Sequence, residues 1–200
     1  MKTIDLNIWS RALHFQHFNA LASPYLRFSI PFNVTEVYAF AKREAKRFFA
    51  ACLHAGQKAI ISLDNLRYKT ENKEVVDCAL IHASAPLLRV YKPFGFSFTE
   101  YDNDPDQLNS EKNTIERSND LYPPQNGLNC VHCSAMPWFK FSGQKESVLK
   151  SVFSKYEKAE EQWVMTVSIS LNHALVERYY ESLFPDAFQE FLNAKAHKFD

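Results

Sequence analysis

From Gln162 to Leu171 the chain alternates: Trp163, Met165, Val167, Ile169 and Leu171 are apolar, with Val164, Thr166, Ser168 and Ser170 between them. Successive side chains of an extended chain leave on opposite faces, so this period of two predicts a strand with one face in a core. His173 then leads into an amphipathic stretch, Ala174-Leu175-Val176-Glu177-Arg178-Tyr179-Tyr180, and on to a helical stripe of Leu183, Phe184, Phe188, Phe191 and Leu192. Pro185 inside that stripe predicts a split into two short helices. A histidine held between strand and helix, four residues before a carboxylate, is a sensible general base, because neutral imidazole takes up a proton near pH 7. A lone histidine beside an apolar strand is more often a hydrogen-bonded structural residue, so its role must be decided by the rest of the chain.

The other segments mix helix and strand. Asn33-Val34-Thr35-Glu36 reads as an N-cap with a returning carboxylate, followed by Val37, Phe40, Ala41 and Ala45 at helical spacing. A second helix is predicted over Phe48 to Ile61, and strands over Val75–Ile81, Ala85–Val90 and Val131–Phe141, the last interrupted by Pro137. Between Glu100 and Gln125 the chain turns polar and reads as an exposed segment with a short helix near Leu108 to Ser118. Such mixing argues for α/β or α+β over all-α. Two hundred residues at 46% hydrophobic content suit one domain, and 17 Phe, 9 Tyr and 3 Trp imply an aromatic interior, an aromatic-lined cavity, or both.

Charge narrows the function classes. Lys plus Arg and Asp plus Glu both number 23, which leaves no electrostatic footprint for nucleic acid or an anionic membrane and no self-repulsion against oligomer formation. Met1 to Asn7 lacks a basic-then-apolar signal, and no apolar run reaches the length of a membrane span, so a cytoplasmic location is expected. Cys130-Val131-His132-Cys133 is half a zinc site at most, because Cys52 and Cys78 stand at unrelated spacings; no metal is expected.

Five patterns share one resemblance. Asn172-His173, three residues, then Glu177-Arg178-Tyr179 is similar to a signature of two histidines, three residues, Asp-Gly and an aromatic. Ser134-Ala135-Met136-Pro137-Trp138 matches Ser-Ala-x-Pro-Trp; Trp9-Ser10-Arg11 with His14-Phe15 matches Trp-x-Arg-x-x-His-Phe. Lys155-Tyr156 stands eighteen residues before His173, and Arg47-Phe48-Phe49 resembles a Lys-Phe-Tyr segment. Along the chain, from residue 9 to residue 180, these patterns resemble the chloramphenicol acetyltransferase family in the family's own order.

The resemblance implies a single domain over 1–200 with an α/β fold (an α+β two-layer sandwich): a mixed sheet with helices packed on one face, the CoA-dependent acyltransferase fold. It implies acetyl-CoA as co-substrate, no metal, a small, largely apolar acceptor such as chloramphenicol, and a homotrimer with active sites between subunits. His173 is the implied base, Ser134 the oxyanion donor, and Arg11 with Glu177 the orienting pair. Lys155, Tyr156 and Arg47 are the implied coenzyme contacts; Phe18, His17, Phe28 and Val152 the implied acceptor contacts. The chemistry agrees with the residue types, since a positioned base contributes ~10²–10⁴-fold and direct transfer from CoA needs no protein nucleophile.

Departures are specific. Glu177 is one methylene longer than the family's Asp, Arg178 replaces its Gly, Asn172 its first His, and Val152 a frequent Thr. The interval between Ser134 and His173 is short, with the missing residues falling after Phe141. Two alternatives follow: a trimeric binding protein of this fold without catalysis, or an acyltransferase for another small alcohol or amine.

Overall fold

The computed structural model describes residues 1–89, 92–102, 121–138 and 150–197. Its frame is a five-stranded mixed sheet in the order β2 (Tyr25–Asn33), β10 (Gln162–Asn172), β9 (Lys150–Ala159), β8 (Cys130–Met136), β5 (His82–Ser84). The β2–β10 and β10–β9 pairs are antiparallel, whereas β9, β8 and β5 are mutually parallel. A small sheet is formed by β1 (Lys2–Ile4), β4 (Glu74–Asp77) and β3 (Tyr68–Glu71), and β6 (Pro86–Arg89) pairs with β7 (Lys92–Phe96).

The period-two pattern sorts the large sheet into two faces. Met165, Val167, Ile169 and Leu171 are all buried, and their register partners on β2 are Phe32, Ile30, Phe28 and Leu26. With Phe153 and Cys133 they meet α2 (Thr35–Arg43), α3 (Phe48–Ser62) and α4 (Arg178–His197), so the helices cover this face. Phe188 of α4 is 1% exposed and packs its ring against Phe32 and Phe184. The remaining helices among the described residues are α1 (Ala12–Asn19) and a 3₁₀ turn, Asp64–Arg67.

Several boundaries differ from the sequence expectations. Pro185 sits inside a continuous α4. Phe184 and Phe188 bury the flanking turns in the same core, and that packing holds the halves in line despite the missing N–H. The strand expected over Val75–Ile81 stops at Asp77, where Arg67 binds the carboxylate through Nε and Nη2 at 3.1 and 3.2 Å. Beyond it the chain leaves the small sheet, and β5 joins the large one beside β8. At the start of α2 the Asn33 side chain accepts the Thr35 N–H at 3.0 Å, while the backbone N-cap is Val34. The helix expected near Leu108 to Ser118 and the end of the strand at Phe141 lie outside the described residues.

Candidate active site

The sheet presents Asn172 at the end of β10, and this residue builds the turn that follows. Its side chain accepts the Ala174 N–H at 2.9 Å, and its carbonyl accepts those of Leu175 and Val176 at 3.0 Å each. Asparagine is suited to this local bonding, which competes with continuing the strand. His173 is thereby held between β10 and α4, with its N–H on the Pro24 carbonyl at 2.7 Å.

The imidazole is tied at one nitrogen. Nδ1 lies 3.2 Å from the Val176 carbonyl, which can only accept, so Nδ1 carries the proton and Nε2 keeps the lone pair. Glu181 Oε1 lies 3.5 Å from the same Nδ1. The Phe18 ring meets the imidazole edge-on at 4.3 Å between centroids, and His17 stands exposed against Phe18 at 5.0 Å. Phe18 therefore limits how the imidazole can swing.

Beneath the turn lies a charged cluster. Arg11 is 7% exposed, and its Nη1 lies 2.6 Å from Glu177 Oε1. Burial pulls the Arg11 pKa down, and the field of Glu181 opposes that. Glu181 is itself 7% exposed, in the first turn of α4; burial raises its carboxyl, while His173, Arg178 and Arg11 act the other way. Glu181 was not anticipated from the sequence. Its signal is the four-residue step from Glu177, which on a helix returns to the same face. Arg178 opens α4 with an exposed side chain, and its φ is not in the positive region, so nothing at that position requires glycine.

Ser134 belongs to a different neighbourhood. The register aligns Ser134 of β8 with Val152 of β9 and Ser168 of β10, on the sheet face away from the helices. Ser134 and Val152 line a cavity of ≈ 710 Å³ between that face and the β6–β7 pair, whose walls include Phe94, Phe96, Tyr122 and Trp138. Phe96 and Tyr122 stack at 4.4 Å and 7°, and Trp138 is 69% exposed at the rim. Phe94, Phe96 and Tyr122 were not singled out in the sequence: Phe94 and Phe96 alternate across a single glycine, but only the tertiary fold sets them in one cavity with Ser134.

Within one chain His173 and Ser134 do not meet. His173 lies five residues beyond Ser168 along β10, and Ser134 two strands across. At ~3.3 Å per residue and ~4.8 Å per strand, that is about 19 Å of separation. Lys155 and Tyr156 lie farther along β9, beyond Val152, the register partner of Ser134. A β-bulge precedes them: Ser154 Oγ accepts the Thr166 N–H at 3.0 Å, and Ser154 and Lys155 together oppose Thr166. Lys155 and Arg47 are exposed, whereas Tyr156 packs among Tyr38, Phe48 and Trp163. Arg47 immediately precedes Phe48, whose ring lies 4.8 Å from Tyr156, so the three candidate coenzyme contacts share one corner. Phe28 does not line the Ser134 cavity; it packs against the core beside Ile169.

The four cysteines are buried free thiols. Cys130 and Cys133, three residues apart on a strand, leave opposite faces, unlike a pair that shares a metal. No helix among the described residues is long and apolar enough to cross a membrane.

Comparison with known proteins converges on one family. A family model described as chloramphenicol acetyltransferase matches residues 1–189. A chloramphenicol acetyltransferase of Escherichia coli is 21% identical over 205 residues, covering 94% of this chain and 92% of that one. A solved chloramphenicol acetyltransferase superposes with a TM-score of 0.79 at 20% identity, covering 94% and 98% of the two chains. A probable dihydrolipoamide acetyltransferase from Listeria monocytogenes shares the fold at a TM-score of 0.68 and 11% identity, covering 94% and 92%.

Proposed function

The chain belongs to the chloramphenicol acetyltransferase family and is an acyltransferase, in a family whose co-substrate is acetyl-CoA. From that premise we propose that it acetylates a hydroxyl of a small, largely apolar acceptor such as chloramphenicol. Its site is completed between copies of a homotrimer, with His173 from one and Ser134 from its neighbour. The observation that carries this reading is the His173 tautomer: an Nδ1 bonded to the Val176 carbonyl leaves Nε2 free to accept a proton. The ~19 Å between His173 and Ser134 within one chain supports a shared site. Exposed Ile8, Leu13, Phe94 and Trp138 supply apolar surface for subunit contacts.

The geometry supports the following roles. Nε2 of His173 takes the acceptor proton as the hydroxyl oxygen attacks the thioester carbonyl. The resulting oxyanion receives a hydrogen bond from Ser134, a contact worth roughly 10²–10³ in rate when such donors are removed elsewhere. Collapse expels the CoA sulfur, to which the imidazolium returns the proton. Arg11 holds Glu177 and faces Glu181, so the turn that orients His173 rests on a buried cation. Lys155 and Arg47 offset coenzyme phosphate charge, and Tyr156 lines that corner. Val152 and the aromatic walls of the larger cavity hold the acceptor.

Another small alcohol or amine as the natural acceptor is the second reading. It is favoured by Val152, which places a methyl surface instead of a hydroxyl beside Ser134.

The test is thiol release from acetyl-CoA with chloramphenicol, for the wild type, His173→Ala, Ser134→Ala, and the two variants refolded together. Each variant alone should be inactive. The mixture should recover about a quarter of the wild-type rate, the random-mixing fraction of intact shared sites. Full activity of His173→Ala would overturn the mechanism. A mixture that stays dead while the wild type turns over would overturn the shared site. A folded wild type without turnover, tested next against other small alcohols and amines, moves the assignment to the second reading.

A further inference from the structure

A second cavity, of ≈ 230 Å³, lies between the small sheet and the ends of β8 and β10, and Lys69, Cys130, His132, Asn172 and Val176 form part of its wall. Lys69 sits in β3 opposite Val76 and is 9% exposed, a depth at which lysine is uncommon unless paired. Its Nζ makes no hydrogen bond or ion pair among the described residues.

The groups around Lys69 do not balance its charge. The charged-state neighbours it senses are Cys78, Cys130 and Cys133, and no carboxylate is among them. Burial raises all three thiols, Cys133 to about 12, so they are neutral at pH 7. His132 is held below its ordinary value, first by burial and then by Lys150 and Lys69, which marks the corner as electropositive. Burial lowers Lys69 to about 8, and at pH 7 the ammonium still predominates roughly ten to one. A cation is thus held at the wall of a cavity large enough for several heavy atoms, whose lining also includes apolar Leu171 and Leu175.

We propose that this cavity binds a small organic anion, a carboxylate with a short apolar tail, whose charge meets Lys69 and whose tail lies on Leu171 and Leu175. The site is distinct from the Ser134 cavity, although His132 lines both. It also backs directly onto the His173 turn, because Asn172 and Val176 form its wall and hold that turn. The inference does not depend on acyl transfer, and its readout is binding.

Sodium butanoate, the neutral isostere butanamide and sodium phosphate are the probes, titrated calorimetrically at fixed ionic strength with thermal unfolding in parallel. Butanoate should bind the wild type once per chain and raise the melting temperature by several degrees when saturating. Butanamide should bind at least tenfold more weakly, and Lys69→Met should lose butanoate binding at least tenfold. Competitive acylation with peptide mass spectrometry reads the same site in the unmutated protein: butanoate should slow labelling of Lys69, and butanamide should not. No butanoate binding to the wild type, unchanged binding to Lys69→Met, or unslowed labelling would each overturn the proposal. Phosphate binding as tightly as butanoate would overturn the apolar-tail assignment.

Discussion

His173 follows β10 and Ser134 lies in β8, two strands separated only by β9, yet their surroundings have little in common. The histidine end is crowded and charged: a carbonyl and a carboxylate at Nδ1, a ring across the imidazole, and a buried guanidinium beneath. The serine end is open and apolar, a sheet face walled by Phe94, Phe96, Tyr122 and Trp138. One end is prepared for proton transfer, where tautomer and orientation matter most. The other is prepared to exclude water around a small ligand, where shape matters most. On the reading proposed above, a single chain carries two unlike halves of a shared site.

Perturbing one end at a time sharpens that contrast. His173→Ala carries the largest expected effect, a loss of ~10²–10⁴-fold in kcat for acetyl transfer, with acetyl-CoA affinity by calorimetry unchanged. Equal losses in kcat and in coenzyme binding would place His173 in the binding surface instead. Ser134→Ala should follow at roughly 10²–10³-fold, again in kcat, because the donor acts on the developing oxyanion. If its loss appeared in KM alone, the serine would belong to the acceptor pocket and not to the oxyanion.

Arg11→Met tests whether the charged cluster is what separates the two ends. It removes the buried cation between Glu177 and Glu181, and denaturant unfolding should show a loss of about 1–3 kcal/mol, moderated because Glu177 is 44% exposed. The cavity beside Ser134 should be untouched. Glu181 adds a pH signature of definite sign. Its folded-state pKa lies above its unfolded one, so the native state binds more protons and stability falls as pH rises through that interval. In Glu181→Gln that fall should disappear, as urea melts at pH 4 to 7 would show.

The smallest effect concerns Lys69, whose cavity backs onto both ends through His132 and Asn172. Its pKa is lowered from 10.5 to about 8, so the unfolded chain binds more protons between those values and stability should rise with pH across them. The buried thiols and Tyr68, raised by burial, act oppositely in the same range, so the informative quantity is wild type minus Lys69→Met. That difference should shift by about 1–2 kcal/mol in favour of the wild type from pH 8 to 10 in denaturant titrations. A flat difference would mean that Lys69 is solvated in solution.

Much of the frame was legible because it is written locally. The alternation in 162–171 and the stripe in 183–192 are periodicities that only a strand and a helix satisfy, and the structure has β10 and α4 there. The Arg11–Glu177 contact joins positions 166 apart in number, yet each stands in a short pattern that could be read without knowing the fold. Pro185 misled because propensity is local, while the burial of Phe184 and Phe188 that overrides it is not. Glu181 and Lys69 were invisible for a related reason. An acid on a helix and a lysine on a short strand look solvated until other segments cover them.

What the sequence by itself determined is the inventory: one core-facing strand, a histidine at its end, a serine in a short strand, balanced charge and too few clustered cysteines for a metal framework. Tertiary structure alone decided what these groups experience. It chose which nitrogen of His173 carries the proton, set Ser134 beside an aromatic cavity, put about 19 Å between the two, and buried Lys69 with no carboxylate partner among the described residues. Register, desolvation and field are sums over residues distant in the chain, so no local pattern contains them.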